Sequence, residues 1–155
     1  MPTVERVIPV MEYVHDTLRD SDGDDDGLND KATTIGAAQS PAITMASIRS
    51  DHFFLSDRQK VQQFPCCMTQ AFGGAFTPET SSQFLNEYTI RVEVFEKDAD
   101  EDRLARKLGI WAQGVQELLN DLTATNMWNN TIQHMIEGNI DYDPQAFVRT
   151  GNVYV

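Results

Sequence analysis

Between Tyr88 and Lys97 apolar and polar residues alternate. Ile90, Val92 and Val94 fall on one face of a pleat, and Arg91 and Glu93 fall on the other. The pattern predicts a half-buried strand. Asp98, Asp100, Glu101 and Asp102 follow, and carboxylates suit both an N-cap and the positive end of a helix dipole. Beyond them Leu104, Leu108, Trp111, Val115, Leu118 and Leu122 recur at steps of four and three, a narrow stripe on one helix face. Such a stripe must be buried against a sheet or another helix, and the preceding strand is the nearest candidate.

Upstream, Val4, Val7, Ile8, Met11, Val14 and Leu18 keep helical spacing and predict a helix to about Arg19, which starts or kinks at Pro9. His15, with no second His or Cys nearby, reads as an exposed helix residue. Residues 42–49 alternate weakly and read as a strand of poor contrast. Residues 64–72 read as a strand with Pro65 at its start, and residues 73–82 as a long loop suited to contacts. Residues 128–142 predict an extended strand carrying Ile132, Ile136, Ile140 and Tyr142 on one face, ended by Pro144. A terminal strand bends at Gly151-Asn152. Trp111 and Trp128 read as core or interface anchors. The expected fold is α/β of the α+β kind: one domain over residues 1–155, with a mixed or antiparallel sheet of about four strands packed with two helices.

Charge changes the picture. Twenty-four acids against twelve Lys and Arg give a net charge of -12, with fifteen Asp, nine Glu and four Lys. Self-repulsion of this size is tolerable where salt screens it. The acidic, lysine-poor composition resembles proteins of salt-loving archaea and their viruses. It disfavours a grip on nucleic-acid phosphates, which needs Lys and Arg in quantity. No apolar run reaches eighteen residues and no signal or lipidation motif is legible, so the expectation is a soluble chain with no membrane partner.

Candidate chemistry is sparse. Residues 20–32 form an acidic insertion loop in which Asp22, Asp24 and Asp26 alternate, Gly27 follows, Leu28 can offer its carbonyl and Asp30 closes the row. This is similar to the start of an EF-hand-like calcium loop, with calcium as the cofactor it would take. It departs at the twelfth position, where Thr33 stands in place of a bidentate Glu. The alternative is a solvated acidic loop. Cys66 and Cys67 are sequence neighbours that cannot bridge each other and lack metal-ligand spacing. A Cys67–His134 pair is imaginable, but a lone strand Cys is more often buried packing. His15, His52 and His134 sit beside no nucleophile motif, and no catalytic residue is assigned. The chain reads as an interaction protein rather than an enzyme.

The order of elements resembles tail-terminator and related head–tail neck proteins of long-tailed viruses. Phe64-Pro65, residues 88–97, the stripe from Leu104 to Leu122, residues 128–142 and residues 151–155 carry the resemblance. It implies a small α/β structural subunit of the virion that forms a homo-oligomer, usually a hexameric ring. Such a ring caps the tail tube at the head–tail junction and meets the tail tube protein on one side and a head-completion or neck protein on the other. DNA would pass through the lumen without specific binding. Synthesis would be in the host cytoplasm, the host being a halophilic archaeon. The alternatives are another head–tail connector or adaptor subunit, and a calcium-binding regulatory module.

Overall fold

A computed structural model describes residues 7–19, 27–55, 63–78, 84–124, 149–150 and 153–154. Helix α1 spans Val7–Arg19, α2 Leu28–Ala37 and α3 Glu101–Ala124. Strands β1 (Phe53–Phe54), β2 (Cys66–Pro78) and β3 (Phe84–Phe95) form a mixed sheet in the order β1-β2-β3. β1 runs parallel to β2, and β2 and β3 form an antiparallel hairpin. The chain's last described pieces, β4 (Arg149–Thr150) and β5 (Val153–Tyr154), pair antiparallel; the bend expected at Gly151-Asn152 lies outside the described residues. The α+β class of the expectation holds. The described sheet has three strands rather than about four, and the described residues hold three α-helices rather than two. The strand expected over residues 128–142 lies outside the described residues.

The third helix is a departure from the acidic-loop reading. Residues 28–32 are the first half of α2, because Leu28, Ala32 and Ile35 recur at helical spacing and all three are buried. The loop from Gly73 onward is also shorter than expected. Residues 73–78 continue β2, paired in register with residues 84–89 of β3 after an irregularity at Ala71/Gly73. Gly73 and Gly74 open the loop expected over residues 73–82, but a bulge is another use of glycine in a strand. Residues 42–49 form no strand; they run without helix, turn or bend along α2.

One core joins these elements. Val14 and Leu18 come from α1, Leu28, Ala32 and Ile35 from α2, Phe53 from β1, Cys67 from β2, and Ile110, Trp111 and Leu118 from α3. Ile90, Val92 and Val94 pack against it, so the strand face expected to be apolar is the one that faces inward. Arg91 and Glu93 on the opposite face pair at 2.8 Å. Full burial of side chains such as Leu18 and Leu28 contributes about 1.5–3 kcal/mol each. Pro9 falls in the first turn of α1, where its missing N–H leaves no bond unmade.

The α3 stripe faces the core at Leu104, Trp111, Val115 and Leu118, and the side chain of Leu122 lies outside those described. Leu104, Trp111 and Leu118 are buried, Leu108 and Val115 are half-buried, and Ile110 and Gly114 are buried as well. The helix meets both α2 and β3, so its covered face is wider than a single stripe. At Gly36 the backbone comes close: an added Cβ would stand 2.5 Å from the Ile43 carbonyl oxygen. At Gly109 in α3 an added Cβ would meet nothing within 4 Å. The two glycines therefore predict opposite outcomes. Gly109→Ala should raise stability by about 0.5–1 kcal/mol through helix propensity. Gly36→Ala should lower it by about 1–3 kcal/mol through overpacking. Urea melts of both variants check the pair, and a stabilising Gly36→Ala would contradict the packing of residue 43 on α2.

Candidate functional site

The densest polar cluster among the described residues sits where β3 turns into α3. Asp98 is 7% exposed, and both of its oxygens are occupied. Arg103 Nε donates to Oδ2 at 2.7 Å and Arg103 Nη2 donates to Oδ1. Lys107 Nζ lies 2.8 Å from Oδ2, and the Asp100 N–H donates to Oδ1 at 3.0 Å. The expected helix start is borne out one residue at a time: Asp100 Oδ1 accepts the Arg103 N–H at 3.1 Å, and its carbonyl accepts the Leu104 N–H at 2.9 Å. Glu101 and Asp102 complete the acidic first turn.

A second carboxylate is buried beside it. Glu96 is 4% exposed; its Oε2 accepts the Trp111 indole N–H at 3.1 Å and its Oε1 accepts the Lys97 N–H at 3.0 Å. Trp111 thus anchors the core and ties α3 to the end of β3, which its apolar position in the stripe did not reveal. The two acids and the two cations Arg103 and Lys107 balance in charge. Buried charges of this kind cost stability unless they are paired and hydrogen-bonded, and here each of the four oxygens has at least one donor.

Electrostatics follow from the contacts. The Arg103 guanidinium, then Lys107 and the Asp100 amide, hold the Asp98 carboxyl well below the usual carboxylate range against the opposing effect of burial. The same pairing raises the Arg103 pKa. Burial, followed by the negative charge of Glu96, pushes the Cys66 thiol up to about 11. Burial, then the neighbouring Cys66, pushes Cys67 up to about 12. Both thiols are free and buried, the packing role expected of them; His134 lies outside the described residues.

Of the residues expected to bind calcium, Leu28 and Asp30 lie in the described structure. Asp22, Asp24 and Asp26 lie outside the described residues. Leu28 opens α2 with its side chain fully buried, and a carbonyl in a first helical turn points along the axis to the amide four residues on. Asp30 is half-buried in that same turn, where a carboxylate complements the helix dipole. Gly27 is the N-cap of α2 at φ -79 and ψ 179, extended backbone. Among the described residues no group of three or more His, Cys, Asp or Glu is placed to hold a metal ion.

The histidines differ from expectation. His15 is 6% exposed rather than solvated; its Nε2 lies 3.2 Å from the Phe53 carbonyl and its Nδ1 3.1 Å from Asp16. It links α1 to β1 across 38 residues, a contact that helical spacing alone could not signal. His52 is buried too, 3.7 Å from Asp51. No described helix is long and apolar enough to cross a membrane. The class these features define is an α+β domain whose polar cluster braces a strand–helix corner. No family model matches the chain, and neither a curated protein nor a solved structure matches it.

Two pH responses follow. A carboxyl depressed in the folded state contributes stability that is complete above its unfolded value, about 3.9, and is lost as pH falls through the folded value. Asp98→Asn should therefore melt lower than the parent at pH 7, and lose less on going from pH 5 to pH 3. Parallel acid limbs would remove Asp98 from the account. The thiols carry the opposite sign: their raised values stabilise the fold below the unfolded value, about 8.5, and that contribution fades toward pH 11–12. Alkylation at pH 8 should leave Cys66 and Cys67 unmodified in the native chain and consume both in denaturant. Rapid native labelling of either would contradict their burial.

Proposed function

We propose that this chain is a structural virion subunit, a ring-forming tail terminator that caps the tail tube and joins it to the neck. The observation that carries the reading is the order of elements. Two helices and the short β1 precede a Phe-Pro entry into β2, β2 and β3 form a long hairpin, β3 leads through a five-residue corner into the long α3, and β4 and β5 pair at the end. The reading is supported by the braced β3–α3 corner, which keeps sheet and helices in one fixed relation. A subunit that repeats around a ring needs that rigidity more than it needs a reactive group. The net charge of -12 also suits a conduit, since an acidic lumen lets DNA slide rather than hold it.

Terminating a tube is a geometric act. The subunit must match the last tube ring on one side and offer no copy of that ring's outer surface on the other, because a repeated head-to-tail contact otherwise has no natural end. The partners are then further copies of this chain, the tail tube protein and a neck protein. Tube subunits polymerising in molar salt should stop lengthening when the purified chain is added, and virus lacking it should make tails of uncontrolled length that fail to join heads. Tails of normal length that join normally in its absence would overturn the reading.

A further inference from the structure

Residues 42–49 run without helix, turn or bend, and no strand pairs with them among the described residues. Both ends are fixed to α2: the Ile43 N–H donates to the Gly36 carbonyl at 2.9 Å, and the Asn29 amide brackets Ile48, donating to its carbonyl at 2.9 Å and accepting its N–H at 2.7 Å. Met45 and Ile48 are buried in the core, which leaves Thr44, Ala46 and Ser47 exposed. No backbone group of residues 44–47 is hydrogen-bonded among the described residues. Backbone groups without partners are a template for a further strand, and proteins commonly guard such edges with charge. Here no charged residue occurs between Lys31 and Arg49, in a chain where charge is otherwise dense.

A second unguarded edge lies on β2. β1 pairs with it only at Cys67 and Met68, and beyond these β2 has no second partner strand among the described residues. The chain leaves the core there: Thr69 is buried, Gln70 half-buried and Ala71 exposed. Residues 61–78 also carry no charge. In a chain of net charge -12, two copies can approach closely only where neither presents carboxylates. These two stretches meet that condition, are of similar length, and end at Pro41 and Pro78, which donate no hydrogen bond.

We infer that residues 42–49 of one copy accept the free edge of β2, over residues 70–78, from a second copy. The contact joins two different surfaces, so it propagates and closes into a ring when the rotation allows. This rests on the self-assembly of the proposed function, and its test separates the two. Hydrogen exchange of the wild-type chain is compared between the assembly in molar salt and the dissociated chain in dilute solution. The amides of residues 44–47 should exchange at least tenfold more slowly in the assembly. Equal exchange in an assembly that does form would overturn this contact and leave the ring reading standing, whereas a chain that stays monomeric would overturn both. Full protection already in the monomer would mean the chain's own residues cover the segment, and would also overturn the contact. Ala46→Pro removes one donor and should weaken association at least tenfold by sedimentation, while Ala46→Val, which keeps the N–H, should associate as wild type. Equal loss in both variants would place the effect in side-chain packing and contradict backbone pairing.

Discussion

Two buried carboxylates at one corner, Glu96 and Asp98, fix how the sheet meets the helices. A charge out of water is tolerated only in a complete set of donors, so the corner has one satisfactory geometry. Trp111, Arg103 and Lys107 supply that set from α3, which settles the rotation and tilt of the helix against β3. With α3 placed, Gly114 admits α2 closely, an added Cβ there lying 3.2 Å from Leu28 Cδ1. With α2 placed, Gly36 and Asn29 pin residues 43 and 48. The line of cause runs from a strand–helix junction to the segment that α2 pins at residues 43 and 48.

Much of this was legible in local pattern. Alternation named the inward face of β3 correctly at Ile90, Val92 and Val94, because a pleat has only two faces. The acidic run before α3 named its start, since capping is a local interaction. Long-range pairing was not legible. Nothing near His15 in sequence points to the Phe53 carbonyl, and nothing near Trp111 points to Glu96. Gly73 and Gly74 were ambiguous because glycine serves both turns and bulges, and tertiary pairing with β3 decided for the strand. The acidic run before Gly27 drew attention to a cation loop, while the apolar spacing of Leu28, Ala32 and Ile35 just after it marked a helix. The candidate site was the least legible part: single acids at 96 and 98 carry no motif, and only the fold shows that they are buried together.

The acidic balance and the unguarded edges belong to one physical account. Net repulsion keeps copies apart in dilute salt, and screening shortens its range to about 3 Å at 1 M. Uncharged backbone edges can then pair at contact distance, so the proposed assembly would be gated by salt. The central claim is a closed ring, and the most direct measurement is electron microscopy of the purified chain in molar salt. The account predicts uniform closed rings with a central channel, six copies being the expected number. A field of monomers, or of open filaments without closure, would contradict it.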